Sequence, residues 1–330
     1  MKNINLINKN DYIFVAGHKG MVGSAICRSL IKKDYKNLLL VERKELDLRN
    51  DRDVKKWFKI NKPSIVIIAA AKVGGIFANS RYPTEFLLDN LKIQNNLIEN
   101  SFINGVKRLL FLGSSCIYPK FSKQPISEED LLSGYLENTN EPYALAKICG
   151  IKLCQSLIKQ YSFDAICLMP TNLYGPGDNY HPKNSHVLPA LIRKFSEAAL
   201  YKNELVKCWG SGQPKREFLH VDDLANACIF SLENWSLFKN NAPCDLNGNK
   251  LSFLNVGTGK DISIKDLAYK IAKGCDFKGK IIWDESKPDG TPRKLLDISR
   301  IKSLGWSPEI ELEEGIELTL ENFRRDYLKN

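Results

Sequence analysis

The sequence lacks the long apolar segments that membrane-spanning and exported chains carry. The apolar run Tyr12–Ala16 ends at Gly17, and the stretch before it offers neither a signal-peptide core nor a membrane span. The mean hydropathy of -0.28 is ordinary for a globular chain. We therefore expect a cytoplasmic protein that neither enters a membrane nor is secreted.

The cysteines form no CxxC pair. There are nine of them, at positions 27, 116, 149, 154, 167, 208, 228, 244 and 275. An odd number with irregular spacing fits neither a disulfide framework nor a zinc site. We expect reduced thiols and no metal.

The basic residues form no continuous stripe. The formal net charge is +10, but the cations are scattered as pairs such as Lys32-Lys33, Lys55-Lys56 and Arg324-Arg325. This scatter disfavours a nucleic-acid partner and leaves phosphorylated small molecules or plain solvated surface as explanations of the excess charge.

A chain of 330 residues exceeds one ordinary hydrophobic core, so we expect a large domain and a smaller one. The first half alternates β-branched runs with helical patterns, which is typical of βαβ units and a parallel sheet. The predicted strands are Tyr12–Ala16, Asn37–Val41, Ser64–Ala69, Arg108–Leu112 and Ala165–Met169. The clearest predicted helices are Gly20–Lys33, Pro83–Asn104 and Pro142–Tyr161. The predicted fold is α/β, a Rossmann-type doubly wound parallel sheet with a smaller mixed α/β C-terminal substrate-binding lobe.

Glycine and proline become more frequent after Pro170, where Gly175-Pro176-Gly177 begins a loop-rich stretch. We place the boundary there, with residues 1–175 forming the dinucleotide-binding domain and 176–330 mainly the substrate lobe, while some later segments return to the first domain. The predicted elements of the second part are Leu205–Cys208, Val221–Leu232, Ser252–Val256, Ile264–Ala272, Lys280–Trp283 and Leu312–Tyr327.

A glycine-rich turn follows the first predicted strand. Gly17, Gly20 and Gly23 are spaced as GxxGxxG, where backbone N–H groups at a helix start can face a pyrophosphate. A tight turn that merely needs glycine is the alternative reading. The position directly after a first strand favours dinucleotide binding.

The second predicted strand is followed by Glu42 and Arg43. An acid at this place suits a free ribose 2′-hydroxyl, whereas an arginine suits a 2′-phosphate. We favour NADP through Arg43 and Lys19, with a surface ion pair as the alternative explanation of the Glu42–Arg43 sequence.

Tyr143 and Lys147 lie four residues apart at the start of a predicted helix, so both side chains share one face. A neighbouring ammonium lowers the pKa of a phenol, which makes Tyr143 a candidate general acid. In isolation, YxxxK is common on solvated helix faces. Its position after the strand Arg108–Leu112 strengthens the catalytic reading.

Ser114, Ser115 and Cys116 follow that strand, at the edge where open α/β sheets bind ligands. A serine hydroxyl there can donate a hydrogen bond to a ketone, and a cysteine thiolate can take a proton next to it. A small buried thiol is the alternative reading for Cys116. His186 is a candidate partner acid, with a helix-capping or ligand-contacting residue as the alternative reading, and His18 and His220 suggest structural roles.

Seven segments together resemble the GDP-L-fucose synthases of the extended short-chain dehydrogenase/reductase superfamily, across nearly the whole chain. The glycine loop and Tyr-x-x-x-Lys are superfamily-wide, whereas GSSCIYP, AAAKVGG and NSHV are far narrower and point to this one activity. The segments are GHKGMVG (17–23), AAAKVGG (69–75), LGSSCIYP (112–119), NEPYALAK (140–147), PTNLYGP (170–176), NSH (184–186) and REFLHVDD (216–223).

The resemblance implies an enzyme that inverts C3 and C5 of GDP-4-keto-6-deoxy-D-mannose and then reduces the C4 ketone with NADPH. It implies Cys116 as base and His186 as acid in the epimerisation. It also implies that Ser114 polarises the ketone, that Tyr143 gives the proton, and that Lys147 binds the nicotinamide ribose and tunes Tyr143.

The resemblance further implies two sets of contacts. Those to the cofactor are Gly17, His18, Lys19, Gly20, Met21, Val22, Gly23, Arg43, Leu112, Gly113, Ser114, Ser115, Lys147, Pro170, Thr171, Asn172, Leu173 and His186. Those to the GDP-sugar are Lys194, Trp209, Arg216 and Asp289, with Lys294 a weaker candidate.

The resemblance also implies a homodimer through the helices Pro83–Asn104 and Pro142–Tyr161, whose apolar faces would then be exposed in one subunit. The cations after the second strand are fewer than the family pattern suggests, which leaves the strictness of NADPH over NADH open. Neither a nucleic-acid nor a membrane partner is expected.

Three other readings compete. One is another nucleotide-sugar enzyme of the same fold. A 4-epimerase would not need a cysteine–histidine proton pair, and a dehydratase normally has acidic groups near the catalytic serine, where this sequence has Ser-Ser-Cys. A dinucleotide sensor without turnover would not need Ser114, Tyr143 and Lys147 together. A basic nucleic-acid binder is the most distant alternative.

Overall fold

The structure is a computed structural model that describes residues 6–182, 184–287 and 289–328. Its strands are β1 (Ile13–Ala16), β2 (Leu38–Leu39), β3 (Ile65–Ile68), β4 (Arg108–Leu112), β5 (Ala165–Pro170), β6 (Asn172–Tyr174), β7 (Leu205–Trp209), β8 (Lys215–His220), β9 (Phe253–Val256), β10 (Asp261–Ser263), β11 (Lys280–Asp284) and β12 (Arg293–Lys294). Its α-helices are α1 (Met21–Lys32), α2 (Asp51–Asn61), α3 (Ile76–Arg81), α4 (Pro83–Ile103), α5 (Glu141–Tyr161), α6 (Val187–Leu200), α7 (Val221–Asn234), α8 (Ile264–Gly274), α9 (Ser299–Ser303) and α10 (Leu312–Tyr327).

A six-stranded parallel sheet carries the first part of the chain, in the order β2-β1-β3-β4-β5-β9. All residues of β1, β3, β4, β5 and β9 are buried, as expected for strands covered by helices on both faces. The strand order reverses beside β1, and ligands of doubly wound sheets bind at such a switch point. The predicted α/β fold is confirmed.

Helices α4 and α5 pack side by side and run in the same direction. Ring pairs join them near both ends, Phe86 with Tyr143 at 6.4 Å and Phe102 with Tyr161 at 4.7 Å between centroids. Between these pairs the side chain of Gln94 donates to the Ala146 carbonyl at 2.6 Å. The start of α5, which carries Tyr143, therefore lies beside the start of α4.

The second part of the chain contributes two smaller sheets. In one, β8 pairs with β6, β10 and β12, and in the other, β7 pairs with β11. Helices α6, α8 and α10 bury a separate core there, whose largest members include Tyr174, Phe195, Ile271, Leu320 and Phe323. Strand β9 and helix α7 come from the later sequence, but β9 pairs with β5 in the main sheet and α7 packs beside α1.

The structure corrects two details of the sequence-based elements. The second strand was expected over Asn37–Val41, yet only Leu38 and Leu39 pair with β1. Edge strands are often this short, and their outer backbone groups face solvent. The short strands β6, β8, β10 and β12 were not predicted, because their pairing partners lie far away in sequence.

Candidate active site

The glycine loop after β1 is held too close to neighbouring backbone for larger residues. Gly17 has φ +91°, and a Cβ there would lie 2.8 Å from the Ala70 backbone. A Cβ at Gly23 would lie 2.1 Å from the Gly17 carbonyl oxygen. Gly20 begins α1, which has neither a side-chain cap nor an acidic residue in its first turn. This shape and charge fit a pyrophosphate against the helix start.

Lys19 and Arg43 differ in their surroundings. The Lys19 ammonium lies 2.5 Å from the Glu42 carboxylate, and this contact holds the pKa of Glu42 below its usual value. Arg43 is exposed beside it. Lys19 is thus partly neutralised by Glu42, whereas the ion pairs of the described residues do not include Arg43, which stays available to a ribose phosphate.

Ser114 and Tyr143 meet at the carboxyl end of β4. Their side chains form a hydrogen bond, and the Ser114 hydroxyl also accepts from the Cys116 N–H at 3.2 Å. Burial and the nearby Cys116 raise the pKa of Tyr143 despite that hydrogen bond. The expected lowering by Lys147 is therefore wrong: burial is the main influence on this pKa, and the group that lowers it is Ser114. A protonated phenol is the form needed in a proton donor.

Lys147 lies one turn further along α5 and is buried. Its ammonium donates to the Leu112 carbonyl at 2.8 Å and lies 5.9 Å from the centre of the Tyr143 ring. Burial lowers the pKa of Lys147 to about 7. The helix thus brings the predicted pair to one face, against the end of β4.

Cys116 is half-buried and lies beside two cations of the second part of the chain. The Lys294 ammonium is 3.9 Å from its sulfur. The Arg216 guanidinium is close enough for an electrostatic interaction with the same thiol. Cys116 is therefore part of the cleft and not a core thiol, unlike Cys167, Cys208 and Cys228, which are buried.

His186 precedes α6. The protein around its imidazole lowers the pKa of this group by desolvation, although part of the residue remains accessible to solvent. The segment before it is fixed by the Gly75 N–H, which donates to the Asn184 carbonyl at 3.1 Å. Among the described residues no hydrogen bond or ion pair joins His186 to Cys116. The structure does not make them a contacting pair, although acids and bases on opposite faces of a ring need no contact.

The candidate GDP-sugar residues form two groups. The Lys194 ammonium lies 5.6 Å from the ring centre of Trp209, whose side chain is 59% exposed. Asp289 accepts from the backbone N–H and the hydroxyl of Ser211, both at 2.7 Å, and interacts electrostatically with Arg216. An exposed indole with cations nearby can stack on a planar base and bind phosphates.

The segment Pro170–Leu173 links the main sheet to the second part. The Thr171 N–H donates to the Val256 carbonyl at 3.0 Å, and the Asn172 amide donates to the Glu217 carbonyl at 2.8 Å. These predicted cofactor residues therefore leave the sheet at the same edge as Ser114.

Sequence reasoning missed Glu217, which is fully buried. Its carboxylate accepts from the backbone N–H groups of Thr258 at 2.6 Å, Gly259 at 2.7 Å and Leu296 at 3.0 Å. It thereby ties β8, next to Arg216, to the turn after β9 and to the segment that follows Lys294. A lone acid in the strand KREFLH was the only available signal. His220, expected to be structural, accepts from the Asp222 N–H at 3.3 Å at the start of α7.

Within the described ranges, no group of three or more histidine, cysteine or acidic side chains is arranged to hold a metal ion, and no helix has the length and apolarity needed to cross a bilayer.

The chain is similar to known proteins along nearly its whole length. The chain is 52% identical to GDP-L-fucose synthase 1 of Arabidopsis thaliana, covering 98% of this chain and 95% of that protein. It is also 52% identical to GDP-L-fucose synthase of Escherichia coli K12, with 94% and 96% covered. A solved GDP-mannoheptose C4 reductase from Campylobacter jejuni with NADP bound is 36% identical, with a TM-score of 0.86 and coverage of 96% and 99%.

The model of the NAD dependent epimerase/dehydratase family matches residues 13–242, from the first strand past the end of α7. That span includes the glycine loop, Ser114, Tyr143, Lys147 and Arg216. The chain belongs to the NAD dependent epimerase/dehydratase family.

Proposed function

We propose that this protein is an enzyme that converts GDP-4-keto-6-deoxy-D-mannose to GDP-L-fucose, by inversion at C3 and C5 followed by reduction of the C4 ketone. One observation carries the proposal. The Ser114–Tyr143 hydrogen bond and the half-buried Cys116 with its lysine neighbour lie together at the end of β4. A proton donor for reduction and a second group for proton abstraction thus share one ketone site.

NADP(H) is the cofactor in this proposal. The Gly17–Gly23 loop and the start of α1 hold its pyrophosphate, Arg43 and Lys19 face the ribose phosphate, and Lys147 binds the nicotinamide ribose. His18, Met21, Val22, the residues from Leu112 to Ser115 and those from Pro170 to Leu173 surround the remainder. When bound, NADPH supplies the hydride for C4.

Ser114 and Tyr143 act on the ketone oxygen. Ser114 donates a hydrogen bond to it, and Tyr143 delivers a proton to it as C4 becomes tetrahedral. The raised pKa of Tyr143 keeps the phenol protonated before reaction. The same two donors stabilise the enolate oxygen that forms during epimerisation.

Cys116 and His186 perform the inversions. The ketone acidifies the C–H bonds at C3 and C5, so the Cys116 thiolate can remove the proton while the electron pair moves to the ketone oxygen. His186 then donates a proton to the opposite face. Its exposed imidazole can recover that proton from water.

The GDP moiety lies along the second part of the chain. Trp209 offers the exposed aromatic face, Lys194 and Arg216 offer charge to the diphosphate, and Asp289 offers a carboxylate to hydroxyl groups.

We further propose that the protein acts as a homodimer in the cytoplasm. Leu88 and Ile103 on α4 and Leu145 and Tyr161 on α5 are exposed, which supports a helix bundle with a second subunit. All nine cysteines are free thiols, which suits a reducing compartment.

The decisive experiment follows absorbance of NADPH, with NADH in parallel, in the presence of GDP-4-keto-6-deoxy-D-mannose, and identifies the product by NMR. We expect oxidation of NADPH and formation of GDP-L-fucose. A reduced product that keeps the manno configuration would show a simple C4 reductase, and no oxidation with either cofactor would refute the proposal.

Cys116→Ser tests the epimerisation separately. In D₂O without reduced cofactor, the wild type should incorporate deuterium at C3 and C5, and Cys116→Ser should lose this exchange while binding NADPH normally. Cys149→Ser changes an exposed thiol of α5 and serves as the matched control. Unchanged exchange in Cys116→Ser would remove Cys116 from the mechanism.

A further inference from the structure

Lys294 lies beside Cys116, with 3.9 Å between Nζ and Sγ across 178 residues of sequence. The ion pairs of the described residues do not include Lys294, so no carboxylate neutralises its charge at short range. Lys294 is half-buried, and an ammonium that is partly removed from water interacts more strongly with a neighbouring anion than an exposed one does.

The strands around Lys294 fix its direction. Lys294 on β12 pairs with Arg216 on β8 in parallel register, so both cations project from the same face of this small sheet. The preceding Arg293 is held on the other side by the Asp261 carboxylate at 2.5 Å. Two residues later, the Leu296 N–H donates to the buried Glu217 carboxylate at 3.0 Å. The backbone of Lys294 is thus anchored before and after the residue.

We propose that Lys294 is a positioning residue of the epimerisation, whose ammonium, held beside the Cys116 sulfur, favours its thiolate form. This inference rests on the proposed function. It differs from a contact to the GDP-sugar, which the sequence resemblance implied for Lys294 as a weaker candidate.

The proton balance of two inversions explains why a resident cation is needed. In the first inversion, the sulfur takes the proton from carbon, the C–H electron pair forms the enolate, and His186 protonates the carbon. The resulting thiol must lose its proton to water, and His186 must gain one, before the second inversion. A fixed cation beside the sulfur favours the thiolate at both stages.

The first test measures how fast iodoacetamide alkylates Cys116 in the ligand-free protein at pH 7, peptide by peptide with mass spectrometry. Lys294→Met should slow alkylation about tenfold, because loss of an opposite charge at this distance changes thiolate stability by about that factor. Lys294→Arg should restore most of the rate. The exposed Cys244, which lies outside α4 and α5, is the internal reference whose rate should not change.

Lys215→Met is the matched control, since it also removes one lysine charge from this small sheet. Lys215 precedes Arg216 on β8, is exposed, and projects from the face opposite to Arg216 and Lys294. It should leave alkylation of Cys116 unchanged. Equal Cys116 rates in the wild type and Lys294→Met would overturn the proposal.

The second test measures deuterium exchange at C3 and C5 of the keto sugar without reduced cofactor. Lys294→Met should lower the kcat of exchange about tenfold while KM and NADPH affinity stay within about twofold. A raised KM with unchanged kcat would assign Lys294 to substrate binding and overturn the proposal. If the wild type shows no exchange, the proposed function fails, and the alkylation rates alone decide the role of Lys294 towards Cys116.

Discussion

Burial, more than pairing, sets the proton affinities of the site residues. Tyr143, Lys147 and His186 all shift towards their neutral forms, the tyrosine by a raised pKa and the other two by lowered ones, with desolvation the main cause in each case. The site is therefore poor in charge on the side of the main sheet. The second part of the chain contributes the charge, through Lys294 and Arg216.

Lys147→Met tests the cost of burying this lysine. Below its lowered pKa of about 7, folding must bury the ammonium, and between that value and the unfolded value near 10.5 the unfolded chain binds more protons. Stability should therefore rise with pH in this window, by at most about 1.4 kcal/mol per pH unit from this one group. The methionine variant lacks that rise, so the difference in unfolding free energy between the wild type and the variant should grow with pH.

Urea unfolding of the cofactor-free proteins at several pH values from about 7 to 10 measures this difference. Lys152→Met, on the exposed face of the same helix, should follow the wild type. A wild-type-minus-variant difference that stays flat across the window would contradict the prediction.

Single residues also show what sequence could reveal. Ser114, Cys116 and Tyr143 were found from their position after one strand and at one helix start, because local order along the chain fixes that proximity. The Lys294–Cys116 contact and the three hydrogen bonds of Glu217 join distant segments. No periodicity encodes such pairings.

At the scale of elements, α5 is the support of the site, and Gly150 lets it approach the sheet. A Cβ at Gly150 would lie 2.6 Å from the Phe111 ring and 3.0 Å from the Gln94 amide carbon. The close approach keeps Lys147, one turn earlier, against the Leu112 carbonyl.

Gly150→Ala should destabilise the protein by up to about 2 kcal/mol. Overpacking a core typically costs about 1–3 kcal/mol, whereas replacing glycine by alanine inside a helix gains about 1 kcal/mol. The cost should exceed the gain here because the Phe111 ring is fully buried and has no room to move away. Reduced activity should accompany the loss, since α5 must shift. Chemical denaturation and NADPH turnover measure the two effects.

Gly134→Ala is the control for that substitution. A Cβ there meets only Pro119, at 3.4 Å, which is ordinary contact. Stability equal to the wild type is expected. A Gly150→Ala variant that is as stable and as active as Gly134→Ala would show that α5 has room which the structure does not indicate.

The long elements were predictable, whereas the short ones were not. β4 and α10 have the predicted bounds, and β1, α4 and α5 begin and end within a residue or so of them, because buried apolar runs and helical periodicity mark them. Strand β8 has only four buried residues after Lys215 and Arg216, and its partners β6, β10 and β12 have two or three residues each. Such strands form through tertiary pairing, which the sequence pattern does not display.

At the scale of the whole molecule, two buried cores meet around the site. The core of the main sheet supports Ser114, Cys116 and Tyr143, and β8 and β12 supply Arg216 and Lys294 from the other side. The proposed reaction needs both parts of the chain, because the residues that act on the ketone lie at the edge of the main sheet and the cations Arg216 and Lys294 come from β8 and β12 on the facing side. The division at residue 175 stays a prediction. The segments that return to the main sheet from beyond residue 175 are β9 and α7.

The exposed apolar side chains of α4 and α5 lead to the last prediction, which concerns assembly. If the two helices form an isologous interface, light scattering after size-exclusion chromatography should give twice the chain mass of 37.4 kDa. Leu145→Glu replaces a 41% exposed residue on α5 with a charge that would be buried against the partner subunit, so this variant should elute as a monomer at micromolar concentration.

Leu205→Glu controls for the added charge alone. Leu205 is 53% exposed on β7 and pairs with Lys280, so a carboxylate there gains a cation as its neighbour and should leave the dimer intact. Because Tyr143 and Lys147 lie on the helix that carries Leu145, loss of the dimer should also loosen the start of α5 and lower NADPH turnover. A wild-type protein that is monomeric at micromolar concentration, or a dimeric Leu145→Glu, would place the subunit interface elsewhere or exclude it.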